Sequence, residues 1–229
     1  MRSNAHIAVP IPDGLTSESA APMFCAGISV YNPLRKFTRK SARVGVIGIG
    51  GLGHLALQFA RAMETEVYAI STNPDKRDES LQFGAYEFVV STDAEDRSRL
   101  AGKLDFILST ATAELDWPAW LSALRPNGTF CLLGASPGPV TLPVLPMIFG
   151  QYSFTARVVG SPARIADMLQ FAAVGILLHA RPSHFRPSFF PADKRSSISR
   201  RRFSFVSFLL ADSIQPMYAR RYEGANCSK

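Results

Sequence analysis

Along this chain, apolar residues gather in short β-branched runs that alternate with stretches whose apolar positions recur at helical spacing. Short runs bounded by turn residues predict strands, and three- to four-residue spacing predicts amphipathic helices. The strands fall at 43–49 (RVGVIGI), 66–70 (EVYAI), 87–90 (EFVV), 104–108 (LDFIL), 129–134 (TFCLLG) and around 153–159 (SFTARVV). Helices are expected at 52–63, 75–83, 94–101, 116–124 and 161–173, with NPD, RPNG and ASPGP supplying turn chemistry. Repeated strand–helix units of this kind build an α/β fold, a doubly wound parallel sheet of Rossmann type with helices on both faces. One further helix, 17–36, precedes them, and its charges Arg35 and Lys36 sit in the last turn, where they complement the helix dipole.

Composition narrows the picture. With 229 residues and 47% hydrophobic content, the chain can bury a substantial core. The formal charge is +7. Residues 1–175 hold 15 basic and 15 acidic side chains, whereas 176–229 hold 10 basic and 3 acidic, so all of the excess lies in the tail. A neutral body argues against a basic nucleic-acid-binding face on the folded part. The tail, rich in Arg, Ser, Phe and Pro, has no clear period. It is read as a disordered or misframed extension, with a basic segment for nucleic acid or anionic lipid (RRRFSFVSFLL) as the alternative. Cys25, Cys131 and Cys227 form no CxxC pair and no Cys/His cluster. Without a signal-like N-terminus or membrane-length apolar run, the expectation is a soluble cytoplasmic protein with no membrane partner.

The strongest motif is GIGGLGH, Gly48 to His54. Gly48, Ile49, Gly50, Gly51, Leu52 and Gly53 follow a strand directly and open a helix, the context that gives a Gly-x-Gly-x-x-Gly pattern its meaning. Gly48 permits the tight turn, Gly50 lets a pyrophosphate approach the backbone, and Gly53 lets helix and strand pack closely. A purely structural glycine turn is the alternative. After the second strand, where an Asp or Glu would hold a ribose 2′-hydroxyl, stands Ser71, followed by Thr72 and then Lys76. Hydroxyls and a cation attract a 2′-phosphate that a carboxylate would repel, so the site reads as selective for NADP. A polar helix cap with a solvated Lys76–Arg77 pair is the other reading of these residues.

Taken together, AAPMFCAGISVYNPL, VGVIGIGGLGHLALQFARAM, STNPDKR, FGA at 83–85 and LRPNGTFCLLG resemble the zinc-dependent medium-chain alcohol dehydrogenases, in particular the cinnamyl alcohol dehydrogenase-like aldehyde reductases. The resemblance covers about residues 6–174. It implies that Cys25 is a ligand of a catalytic zinc and that Ser29 sits on the nicotinamide side of the site. It implies cofactor contacts for Thr110, Gly134 and, in the sixth-strand region, Val158. The implied activity is hydride transfer between NADPH and an aldehyde, with zinc as Lewis acid, and the implied assembly is a homodimer through the sheet edge near 144–158.

The resemblance also implies what this chain lacks. The family's N-terminal GroES-like catalytic domain, with its other zinc ligands and its structural zinc loop, is expected before residue 6 and is largely absent. The domain reading is therefore 1–16 as a remnant of that domain, 17–174 as the NADP-binding unit and 175–229 as the tail. Of the histidines, His54 belongs to the glycine turn, while His6, His179 and His184 are weak ligand candidates. Two function classes follow: an NADP-dependent alcohol dehydrogenase acting on a small aldehyde or alcohol, or a catalytically silent NADP(H)-binding fragment.

Overall fold

The structure, a computed structural model, describes residues 8–174. His6, His179, His184, Cys227 and the whole basic tail from 175 lie outside the described residues.

Six strands form one parallel sheet: β1 (Arg43–Ile47), β2 (Glu66–Ser71), β3 (Glu87–Val90), β4 (Leu104–Ser109), β5 (Leu124–Leu132) and β6 (Ser153–Ala156). Their order across the sheet is β3-β2-β1-β4-β5-β6, with every neighbouring pair parallel. The strand order reverses between β1 and β4, and this reversal opens a crevice at the carboxyl ends of the strands.

Both faces of the sheet are buried, which is why the strands read as continuous apolar runs. Successive side chains point to opposite faces. Val44 and Val46, Val67 and Ala69, Phe106 and Leu108 turn to one core, together with Phe88 and Cys131. Ile47, Tyr68, Ile70, Val89, Ile107 and Phe130 turn to the other. The helices α1 (Ser17–Ala20), α2 (Ala26–Phe37), α3 (Gly53–Ala62) and α8 (Pro162–Ala173) cover the first face, joined by Val9 and Ile11. The second face is covered through Trp117, Trp120 and Leu121 of α6 (Trp117–Ser122) and Met147 of α7 (Val144–Gly150). Two short helices, α4 (Arg77–Gln82) and α5 (Ala94–Ser98), flank β3.

Several elements differ from expectation, among them α5, which ends at Ser98 rather than 101, and β6, which ends at Ala156 rather than 159. The helix expected at 17–36 is broken: α1 ends in a 3-10 turn over Ala21–Phe24, and Cys25, at φ −120° and ψ −71°, precedes α2. Pro22 has no N–H to donate, so the chain cannot run through it as one regular helix. β1 stops at Ile47 rather than 49, because Gly48 turns the chain at φ 89°. β5 begins at Leu124, five residues earlier than expected. RPNG lies inside it, the register shifts between Leu104 and Phe106 on the paired strand, and Asn127 is left-handed at φ 66°. The irregularity is thus absorbed within the ladder as a bulge. Finally, α7 occupies a stretch for which no helix was expected.

Candidate functional site

A cavity of about 750 Å³ lies at the carboxyl ends of β1, β2, β3 and β4. Its floor is the turn from Gly48 to Leu52. Gly48 adopts φ 89°, a conformation that costs glycine nothing. A Cβ on Gly53 would sit 2.1 Å from the Gly48 carbonyl oxygen, so the helix start and the strand end touch through bare backbone. Gly50 and Gly51, by contrast, face open space. No side chain caps α3, whose N-cap is Leu52, whereas Thr16, Asp93, Asp116 and Ser161 cap α1, α5, α6 and α8. The His54 N–H already donates to Gly50 O at 3.1 Å, and the other N–H groups of the turn entering α3 face an anion site that the helix dipole also favours.

Hydrogen bonds hold the turn in shape. The Gly48 N–H donates to Ile70 O at 2.9 Å and the Thr110 N–H to Ile47 O at 2.9 Å. The Thr110 hydroxyl donates to Gly48 O at 2.6 Å. The Lys76 ammonium donates to Ile49 O, so the segment after β2 is tied to the glycine turn. Ser71, Thr72, Asn73 and Lys76 form the wall beyond β2. The Ser71 hydroxyl accepts from the Asn73 N–H at 3.2 Å, and Asn73 in turn caps the 3-10 turn Pro74–Lys76.

The structure therefore brings Gly48, Ile49, Gly50, Gly51, Leu52, Ser71, Thr72, Lys76 and Thr110 to one cavity. Five other expected residues lie outside its lining: Gly53, which packs against Gly48 O behind the turn, Gly134, Val158, Cys25 and Ser29. Gly134 is a point of close approach, where a Cβ would meet Ala111 O at 1.9 Å. Val158 follows β6 and is 61% exposed. Cys25 and Ser29 sit together at the start of α2, one helical turn apart, and the Ser29 hydroxyl donates to Cys25 O at 2.8 Å. The Cys25 thiol is partly buried, and this burial raises its pKa.

Zinc is not accommodated by the described residues alone. A catalytic zinc needs about three protein ligands, with the thiol as thiolate. Among the described residues no group of three His, Cys, Asp or Glu side chains could hold a metal ion. Cys131 does not help, because it is buried in the core, where desolvation pushes its thiol up to about 12. No helix among the described residues is long and apolar enough to cross a membrane.

Sequence reading missed a third wall. Ser91, Thr92 and Arg97, which follow β3, line the cavity, as do Thr112, Glu114 and Asp116 beyond β4. The available signal was topological: in an open α/β sheet, ligands bind beyond the carboxyl ends of the strands flanking the reversal.

Comparison with known proteins agrees with this architecture. The family model for zinc-binding dehydrogenases matches residues 51–174. The chain is similar to an aldehyde reductase of Synechocystis sp., at 43% identity over 173 residues, covering 75% of this chain and 52% of that protein. It is similar to cinnamyl alcohol dehydrogenase 7 of Arabidopsis thaliana, at 38% identity over 72% of this chain and 47% of that protein. Among solved structures, a cinnamyl alcohol dehydrogenase from Sorghum bicolor superposes with a TM-score of 0.70 at 38% identity, covering 72% of this chain and 48% of that one. A cinnamyl alcohol dehydrogenase from Helicobacter pylori, solved in complex with NADP(H), gives 0.59 at 32% identity, covering 67% and 44%. The chain spans about half the length of the curated relatives it matches. With its parallel six-stranded sheet and glycine turn, the chain belongs to the zinc-dependent medium-chain alcohol dehydrogenase family, in the group that includes the cinnamyl alcohol dehydrogenases.

Proposed function

We propose that residues 17–174 form the NADP(H)-binding unit of an alcohol dehydrogenase or aldehyde reductase acting on a small aldehyde or alcohol. The observation that carries this reading is the cavity above the glycine turn, where hydroxyls and a cation occupy the place of a ribose-binding carboxylate. The N–H groups at the start of α3 hold the pyrophosphate, and Gly50 leaves room for its approach. Ser71, Thr72 and Lys76 receive the 2′-phosphate through charge-assisted hydrogen bonds. Thr110 keeps the turn closed beneath the nucleotide. When bound, NADPH supplies a hydride. The relative from Helicobacter pylori, whose structure contains NADP(H), supports the same choice of coenzyme.

Catalysis needs more than these residues provide. Cys25 offers one sulfur for a zinc ion, with Ser29 beside it, and no complete ligand set accompanies it among the described residues. That observation favours a second reading, an NADP(H)-binding module without turnover. The side of β6 that has no partner strand among the described residues and the exposed apolar face of α7 suit a homodimer formed through the sheet edge.

The test is a titration of the purified chain with NADPH and NADH, followed by zinc analysis and aldehyde-dependent oxidation of NADPH. NADPH is expected to bind more tightly, and Lys76→Glu, which also removes the brace to Ile49 O, to weaken NADPH by about tenfold more than it weakens NADH. Equal loss of both nucleotides removes the case for NADP selectivity. Zinc-containing protein with turnover supports the dehydrogenase, and zinc-free binding without turnover supports the silent module.

A further inference from the structure

Charge is divided across the nucleotide cavity. Its cations, Lys76 and Arg97, line the side beyond β2 and β3, whereas its carboxylates, Glu114 and Asp116, lie beyond β4. A phosphate is therefore drawn toward the β2–β3 side. The two cations are not equivalent. The Lys76 ammonium is already engaged by Ile49 O and braces the turn. Arg97, half-buried on α5, has no hydrogen bond or ion pair from its guanidinium among the described residues.

The surrounding groups are committed elsewhere. Asp96 accepts from the Val90 N–H at 3.0 Å and pairs with Arg99, and Asp93 caps α5 through the N–H groups of Glu95 and Asp96. The Arg77 guanidinium lies 5.1 Å from the centre of the Phe88 ring. Among the described residues Arg97 thus lines the cavity wall without a protein acceptor for its guanidinium, a planar fork of donors of the kind that binds phosphate oxygens.

We propose that Arg97 determines coenzyme specificity: its guanidinium takes the 2′-phosphate of NADPH from the β3 side, while Lys76 contributes from the β2 side. This assignment rests on the NADP(H)-binding reading above. It differs from a guanidinium stacked on the adenine face, which would hold NADPH and NADH alike.

The experiment uses the full chain and Arg97→Gln, with Arg97→Lys as the conservative variant. Calorimetric titrations with NADPH, NADH, 2′,5′-ADP and 5′-AMP are compared, and thermal melts verify folding. Arg97→Gln is expected to weaken NADPH and 2′,5′-ADP by about tenfold or more and to leave NADH and 5′-AMP unchanged. The salt dependence of NADPH binding should fall in the same variant, and Arg97→Lys should restore part of the affinity. Equal weakening of NADPH and NADH assigns Arg97 to the adenine and overturns the proposal, as does NADPH binding by Arg97→Gln at wild-type strength. Wild-type protein that binds none of the four ligands overturns the NADP(H) reading itself, and the Arg97 assignment with it.

Discussion

Gly53 and Gly50 occupy one motif but do different physical work. At Gly53 an added methyl would lie 2.1 Å from a backbone oxygen, so either the strand end or the helix start must move. Gly53→Ala is therefore expected to lower unfolding free energy by about 1–3 kcal/mol, the range for overpacking, and to abolish NADPH binding as the turn shifts. Around Gly50 the space is open. Gly50→Ala should accordingly keep the melting temperature while weakening NADPH, because the methyl intrudes only where a phosphate approaches. Denaturant unfolding and nucleotide titration of both variants separate the two effects; Gly53→Ala protein as stable as wild type would sink the argument. At this scale the sequence was informative wherever a residue type carries a backbone requirement or stands next to a motif, as Gly48, Gly53, Ser71 and Lys76 do. Arg97 was not legible, since an arginine on a short polar helix is ordinarily solvated, and only the fold turns it into the cavity.

Among the elements, the strands were the most legible. Burial on both faces leaves little room for polar residues in β1, β2 and β4, and such runs survive any detail of packing. α7 was missed because VLPMIFG is short, carries a proline and shows no polar face. β5 was read as starting late because RPNG has turn chemistry, yet its pairing with β4 tolerates a bulge. α5 is a helix of five residues held largely by side chains. Asp96 accepts the Val90 N–H and pairs with Arg99, which also reaches Glu87 at 3.0 Å. The Val90 N–H is the leading cause that holds the Asp96 carboxyl below its ordinary pKa. A depressed carboxylate stabilises the fold above its unfolded pKa of about 3.9 and loses that contribution as pH falls through the folded value. Asp96→Asn should thus cost about 1 kcal/mol at neutral pH, and the gap from wild type should close in acid below about pH 4. A gap that stays constant with pH would show that the carboxylate charge plays no part.

For the molecule as a whole, the proposed homodimer places its contact at the β6 edge of the sheet. Among the described residues β6 ends the sheet and pairs with β5 alone, which leaves one row of its backbone groups without a strand partner there. Beside it α7 exposes Val144, Leu145, Ile148 and Phe149, the last at 80%. Such an edge next to an apolar helix face invites a self-complementary contact, and the proposed two-fold dimer would close it. The wild-type chain is expected to sediment as a dimer, and Phe149→Asp combined with Ile148→Asp as a monomer with unchanged far-ultraviolet circular dichroism. Monomeric wild-type protein would rule this surface out as the dimer contact.

What the sequence determined by itself was local: the strands, the glycine turn, the hydroxyl-and-lysine pattern after β2 and the family that these motifs in order resemble. Each depends on near neighbours in the chain, through side-chain periodicity or backbone freedom. The tertiary structure alone decided that the ends of β3 and β4 line the same cavity as β1 and β2, which puts Arg97 there and leaves Cys25, Gly134 and Val158 outside its lining. Those placements depend on long-range strand order and helix packing, where residues far apart in the chain meet only because two apolar faces must be covered at once.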